Sequence, residues 1–117
     1  MSKQYVTLRE FSKVKSIEYT VASIRILNLI LVQNLTIRDL SSIIEMSEPY
    51  ISQYVTQLEL YGFVSKSKMG KATIVMVAQD AIEMLKTDLA DSFYLPEIVA
   101  DKHRLTDLKN KGELLVD

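Results

Sequence analysis

Apolar residues recur at helical spacing in several parts of the chain, and residues that favour helix ends stand at the borders of these segments. Near the start, apolar positions accompany a capping box at Thr7–Glu10, which predicts a short helix over about residues 8–15. From about residue 17 to residue 33, apolar side chains cover most of the surface of a helix, as in a buried helix at the centre of a domain. Its main apolar positions are Val21, Ile24, Leu27, Ile30 and Leu31.

Two more helices are predicted with only a very short turn between them. Thr36 is suited to begin the first of them. Ser47 suits the N-cap of the second, and Pro49 suits its first turn, where the missing N–H costs nothing. The second helix ends at Gly62, because glycine readily adopts the left-handed conformation that terminates helices. The apolar stripe of the first helix comprises Ile37, Leu40, Ile43 and Ile44.

A β-hairpin follows these helices. Phe63–Met69 and Lys71–Val77 have the composition of strands and meet at Gly70. Two helices joined by a few residues and followed by a hairpin form a winged helix-turn-helix, in which the hairpin is the wing. The predicted fold is therefore mainly α with a small β-hairpin wing, a winged helix-turn-helix with extra N- and C-terminal helices.

The rest of the chain divides around this unit. Apolar spacing predicts a helix over about residues 80–94, which Pro96 ends or breaks, and the stretch that follows is acidic and mildly helical. We expect an N-terminal helix in residues 1–16 that contacts a partner chain. Residues 17–94 then form the winged helix-turn-helix domain, and residues 95–117 form an acidic C-terminal extension.

One motif in the helix-turn-helix is fairly specific. It reads Ser-x-Pro-x-Ile-Ser-x-x-Val-x-x-Leu-x-x-x-Gly-Phe-Val, from Ser47 to Val64. Together with Ser23–Leu27 and Asp39-Leu40, it resembles the prokaryotic regulators of the arsenic-repressor (ArsR) and MarR type, over about residues 20–80. The resemblance implies regulation of transcription, by repression through occupation of a promoter, in a bacterium, an archaeon or one of their viruses.

The helix after Ser47 has the two faces that a recognition helix needs. Ile51, Val55 and Leu58 fall on one narrow side, and Gln53 and Thr56 fall on the other. Gln can pair with adenine through two hydrogen bonds, and Ser or Tyr hydroxyls can bond phosphate oxygens. The alternative interpretation is an ordinary solvated helix face. The predicted DNA-contacting residues of this helix are Ser47, Glu48, Pro49, Tyr50, Ser52, Gln53, Thr56 and Gln57.

Basic residues for the DNA backbone lie mainly on the wing. Lys66 and Lys68 alternate with serines and therefore point to the same side of the first wing strand, and Lys71 follows the tip. Arg38, near the start of the preceding helix, is a further phosphate candidate. The alternative for the lysines is the protection of an exposed strand edge. Arg25, inside an apolar helix, is interpreted as a structural ion-pair partner.

Two features weaken a role in DNA binding. The segment Pro49–Tyr61 contains no Lys or Arg, and Glu48 is repelled by phosphate although it could accept a hydrogen bond from cytosine. Leu60 falls on the outward side, where packing under the wing is one account of it. The alternative function is therefore a winged helix that binds another protein, as an adaptor without DNA sequence preference.

A homodimer is expected, because one module offers little area for specific DNA binding and such regulators read two half-sites. Apolar surface on the segments 17–33 and 80–94, with Phe11, Phe93, Tyr94 and Leu95, would form the dimer contact or else complete the core of one chain. Charge is unevenly spread: residues 1–79 carry nine basic and six acidic groups, and residues 80–117 carry five and nine. A basic working face can thus coexist with an acidic tail.

Catalysis and metal binding are not expected. The chain has no cysteine and one histidine, which excludes thiolate chemistry, cysteine-based zinc sites and multi-histidine centres within one chain. Metal sensors of the resembled type use cysteines or several histidines, so metal sensing is not expected either. Asp101, His103 and Asp107 form the one weak candidate cluster, for which ordinary surface residues are the favoured interpretation.

No apolar run approaches the length of a membrane span, and nothing near the N-terminus marks export. The sequence therefore predicts a cytoplasmic protein, in a prokaryotic cell or, for a viral protein, in the cytoplasm of the host. It predicts no cofactor, and it leaves a small-molecule effector open.

Overall fold

The N-terminal segment pairs as a hairpin of strands. The computed structural model describes residues 5–10 and 16–116. Strand β1 (Tyr5–Glu10) runs antiparallel to strand β2 (Ser16–Thr20), with Tyr5 opposite Thr20. The prediction of a helix over residues 8–15 is thus wrong at residues 8–10, and residues 11–15, Phe11 among them, lie outside the described residues. A capping box is a local signal, and the apolar–polar alternation of this segment suits a strand that pairs with β2.

The central helix α1 spans Val21–Val32 and begins later than predicted, because the chain is still extended before Thr20. The Thr20 side chain caps it by accepting a hydrogen bond from the Ser23 N–H (3.1 Å). The residues that are buried on α1 lie on all sides of the helix, as expected for the central helix of a domain. They are Ala22, Ser23, Ile24, Ile26, Leu27, Asn28, Leu29 and Ile30.

The helix-turn-helix follows the predicted boundaries closely. Helix α2 spans Ile37–Ile44, and helix α3 spans Glu48–Leu60. Thr36 and the α2 residue Asp39 form a complete capping box, and Ser47 caps α3 by accepting from the Tyr50 N–H (3.3 Å). The turn between the helices is short because Glu45 adopts a left-handed conformation, with φ of 66°.

The wing is part of a three-stranded antiparallel sheet. Strands β4 (Val64–Met69) and β5 (Ala72–Val77) form the hairpin, and Gly70 permits its turn with φ of 62°. A two-residue strand β3 (Leu35–Thr36) pairs with the other edge of β5. The sheet therefore ties the wing directly to the start of α2.

Helix α4 (Ile82–Leu89) lies between two single 3₁₀ turns, Gln79–Ala81 and Ala90–Ser92, so the predicted helix over residues 80–94 is interrupted. Pro96 occupies the first turn of helix α5 (Pro96–Asn110), where its missing N–H is harmless. α5 packs against α1 and α2 and buries Ile98, Asp101 and Leu105. The C-terminal extension is thus an integral part of the fold.

The predicted fold class, mainly α with a small β wing, is confirmed. α1 and the buried Leu85 and Leu89 of α4 complete the core of one chain. Of the two alternatives for these apolar segments, dimer contact or core packing, core packing therefore applies at these positions. Of the helices that the structure describes, none has the length and apolarity needed to cross a membrane.

Candidate nucleic-acid interface

Helix α3 packs against the core through the face that the sequence predicts to be buried. Ile51, Val55 and Leu58 are at most 1% exposed, and Tyr54 joins them at 4%. Burial of these side chains against the rest of the core stabilises the helix by roughly 1.5–3 kcal/mol for each fully buried aliphatic residue. The opposite side of α3 is therefore presented by a rigidly held helix.

That opposite side is open. Gln53, Thr56 and Gln57 are exposed and Ser52 is half-buried, as the helical spacing predicts. Gln53, Thr56 and Gln57 line a shallow surface cleft of about 300 Å³ that also includes Leu60. Leu60 is 82% exposed, so the account in which it packs under the wing is wrong.

Tyr50 is held in place by its neighbour on the next turn of α3. The Tyr50 and Tyr54 hydroxyl oxygens lie 3.2 Å apart, and the two rings meet edge to face at 5.0 Å. The hydrogen bond with Tyr54 is the main cause that raises the pKa of the Tyr50 hydroxyl. Tyr50 can donate its one hydroxyl proton to an anionic oxygen when Tyr54 is the donor within the pair.

A groove of about 600 Å³ runs between the first turn of α2, the first turns of α3 and the tip of the wing. We call it the backbone groove. It brings Arg38, Lys71 and Ser52 together from three elements that are far apart in sequence. Glu48 also lines it, so one carboxylate opposes the two cations. Two cations therefore lie beside the first turns of α3, which itself contains no Lys or Arg.

The wing lysines are not equivalent. Lys66 Nζ lies 3.3 Å from Glu59 Oε1 near the end of α3, and Lys68 donates to Thr73 Oγ1 across the hairpin (3.3 Å). Lys71 lines the backbone groove instead. Lys66 thus lies near the C-terminal end of α3, whereas Lys71 lies near its first turns.

Arg25 is an ion-pair partner, as predicted. It makes two 2.8 Å hydrogen bonds to the buried Asp101 of α5, and it also donates to the Ile44 carbonyl at the end of α2 (3.1 Å). The hydrogen bond with Asp101 is the main cause that raises the pKa of Arg25. Arg104 binds the same carboxylate (3.2 Å) and the carbonyl of Ile43.

These side chains form an ionic clamp, defined as Arg25, Asp101 and Arg104. The clamp satisfies carbonyls at the C-terminal end of α2, where α2 itself has no basic residue. It therefore fixes the end of α2 immediately before the turn into α3. Arg104 was not identified from the sequence, since nothing in the local pattern of α5 marks it as a partner of α2.

The candidate metal cluster of Asp101, His103 and Asp107 does not form a metal site in the part of the chain that the structure describes. Asp101 is engaged by two arginines and is 1% exposed, whereas His103 and Asp107 are exposed. Among residues 5–10 and 16–116, no group of three or more His, Cys, Asp or Glu side chains is placed to hold a metal ion.

The helix-turn-helix part of the chain is similar to a known protein family. Residues 22–66 match the family model of the bacterial regulatory protein, arsR family. No curated protein matches the chain. The family match covers α1, α2, α3 and the intervening turns, and it ends within β4.

Solved structures are similar over a longer stretch. Reduced HlyU from Vibrio cholerae is 24% identical with a TM-score of 0.55, over 63% of this chain and 77% of that one. A variant of ZitR from Lactococcus lactis is 16% identical with a TM-score of 0.57, over 94% and 85%. The adhesin competence repressor AdcR from Streptococcus pyogenes is 16% identical with a TM-score of 0.52, over 80% and 75%.

Proposed function

We propose that the chain is a transcriptional regulator that binds double-stranded DNA sequence-specifically as a homodimer and represses transcription by occupying a promoter. The winged helix-turn-helix of the ArsR/MarR type supports the role of a DNA-binding transcriptional regulator. The observation that carries the proposal is the division of α3. Its apolar seam is buried in the core, and Gln53, Thr56 and Gln57 stand exposed along the other side. An exposed row of amide and hydroxyl groups on a fixed helix suits the major groove.

In the proposed complex, α3 reads base edges. Gln53 is suited to pair with adenine through both of its amide atoms, and Thr56 offers a hydroxyl and a methyl group. Ser52 and Gln57 flank them, and Glu48 can accept a hydrogen bond from the amino group of cytosine. Because these side chains lie on one side of one helix, we expect them to contact consecutive base pairs.

The DNA backbone is proposed to lie on both sides of α3. Arg38 and Lys71 would bind phosphates of the strand in the backbone groove, and Tyr50 can donate to a phosphate from the N-terminal part of α3. Lys66 would contact phosphates beyond the other end of the helix, exchanging Glu59 for a phosphate, and Lys68 would contact phosphates along the wing. Such contacts fix register and carry the salt dependence.

The homodimer is proposed to use the surface between α4 and α5. Phe93 is 43% exposed and Tyr94 is 86% exposed, and both belong to the segment in which the sequence predicts a dimer contact. A single module buries roughly 600–1,000 Å² of protein surface on DNA, and pairing two modules doubles the contact. The measurement is the mass in solution, for which the proposal expects twice the 13.4 kDa of one chain.

Removing the paired wing lysines tests the proposed backbone contacts. The double variant Lys66→Ala/Lys68→Ala is expected to weaken binding to all duplexes alike and to lower the slope of log affinity against log salt by about one to two. Titration of a duplex at several salt concentrations measures both. The control is Lys86→Ala/Lys111→Ala, which removes two exposed lysines outside the interface and preserves the slope. A slope that stays unchanged in the wing variant contradicts the wing assignment.

The adaptor alternative rests on the absence of Lys and Arg from α3 and on the exposed Leu60. Selection of bound duplexes from a random pool separates the two functions. A sequence-specific regulator enriches a defined site, whereas an adaptor enriches none.

A further inference from the structure

The chain after α5 turns back onto α2. Gly112 ends α5 with φ of 68°, and the Glu113 N–H returns to the Leu108 carbonyl (2.9 Å). We call residues 113–116 the return segment. Leu114 of this segment is buried, at 9% exposure, and its neighbour Leu115 is 45% exposed.

One buried carboxylate fixes the backbone of the return segment. The Leu115 N–H donates to Asp39 Oδ1 (2.8 Å), and the Val116 N–H donates to Asp39 Oδ2 (3.3 Å). The same carboxylate accepts from the Thr36 N–H in the capping box of α2 (3.2 Å). Asp39 is 2% exposed, so these charge-assisted bonds form out of water, where they are strong.

A second set of contacts holds the segment from the other side. Gln33 donates through Nε2 to the Val116 carbonyl (3.3 Å), and Lys109 donates to Gln33 Oε1 (3.2 Å). The return segment is therefore anchored to the end of α1, to the start of α2 and to α5. A segment that is fixed in this way presents its exposed side chain in a defined place.

That place is the backbone groove. Leu115 lines the groove together with Arg38, Lys71, Ile37, Pro49 and Met69. The groove thus combines two cations and the Glu48 carboxylate, a net positive charge, with an apolar wall. A deoxyribose–phosphate strand has the complementary chemistry, because its phosphates seek cations and its sugars have apolar faces.

We propose that the return segment is a third wall of the DNA-binding groove, in which Leu115 contacts one deoxyribose–phosphate strand and Asp39 is the residue that positions it. The inference rests on the proposed function and extends it, since the helix-turn-helix and the wing alone would leave this side of the groove open. The C-terminal extension is then a component of the DNA interface, although it lies outside the 22–66 family match.

The test changes the charge at position 115. At about 0.1 M salt, Leu115→Lys is expected to tighten binding to a selected duplex roughly threefold to tenfold and to steepen the salt slope by about one. Leu115→Glu is expected to weaken binding by a similar factor. The controls are Ala100→Lys and Ala100→Glu, which make the same change in net charge at an exposed position of α5 outside the groove.

The role of Asp39 is tested by coupling. Asp39→Asn keeps the size of the side chain but places an amide where the carboxylate accepts backbone N–H groups. If Asp39 positions the segment, the gain from Leu115→Lys disappears in the Asp39→Asn background, whereas the loss from Lys71→Ala persists. Circular dichroism of each variant confirms that the helices are intact, and equal gains in both backgrounds refute the positioning role.

The outcomes separate the inference from the function on which it rests. A wild-type protein that binds no duplex overturns both. If the wild type binds but the Leu115 variants behave as the Ala100 variants do, the inference alone is wrong. If Leu115→Glu or removal of residues 113–117 tightens binding, the segment obstructs the groove, and the inference is again overturned.

Discussion

Replacing Asp101 by alanine is expected to lower the free energy of unfolding by about 3–5 kcal/mol, because it leaves the largely buried charge of Arg25 without its partner. Asp101 is 1% exposed and accepts hydrogen bonds from Arg25 (2.8 Å) and Arg104 (3.2 Å). The guanidinium of Arg25 lies between α1 and α5, so water can replace the carboxylate only in part. Urea denaturation measures the loss, which corresponds to a fall in Tm of about 10–25 °C for a domain of this size.

The matched control for this variant is Asp107→Ala. Asp107 lies on the same helix and is exposed, and its replacement is expected to change the free energy of unfolding by less than about 0.5 kcal/mol. A loss below about 1 kcal/mol for Asp101→Ala would contradict a clamp that holds α2, since a broken buried ion pair costs several times more.

Replacing Gln53 by alanine is expected to remove discrimination at one base pair of each half-site. A good two-bond contact between a side chain and a base distinguishes the correct base by about 1–3 kcal/mol, or roughly 5- to 150-fold in relative affinity. Gln53 is exposed on the side of α3 opposite the buried seam, so we expect the variant to fold normally and to keep its affinity for unselected DNA. Competition between the selected duplex and single-base variants of it measures the effect.

The control is the same substitution at Gln79, which is exposed and lies beyond the wing. Gln79→Ala is expected to leave the preference for every base pair unchanged. If Gln53→Ala also leaves every preference unchanged, α3 does not read bases through this residue.

Signals that are satisfied within a few residues were predicted correctly from the sequence. Thr36 and Asp39 cap α2 through reciprocal bonds, and Ser47 caps α3 by accepting from the Tyr50 N–H, so neighbours in sequence are also partners in space. The capping box at Thr7–Glu10 has the same local form but lies in a strand up to Glu10. There, pairing with β2 outweighs the local preference.

In the candidate site, too, features within one helix could be predicted from the sequence, whereas contacts between residues far apart in sequence could not. Helical spacing is enough to separate the buried Ile51 from the exposed Gln53, because both belong to one rigid element. The partners of Arg25 and Asp39 lie about 76 residues away, at Asp101 and Leu115, and no local pattern specifies such contacts. The backbone groove and the ionic clamp therefore follow only from the three-dimensional packing of α5 and the return segment.

The proposed role of α3 is tested most directly by chemical protection, which the chain favours because it has no cysteine of its own. Thr56→Cys places a single thiol on the exposed side of α3, and Thr106→Cys places one on the exposed side of α5 as control. Our account predicts that a saturating selected duplex slows maleimide labelling at position 56 and leaves labelling at position 106 unchanged. Equal labelling rates at position 56 with and without bound duplex would contradict it.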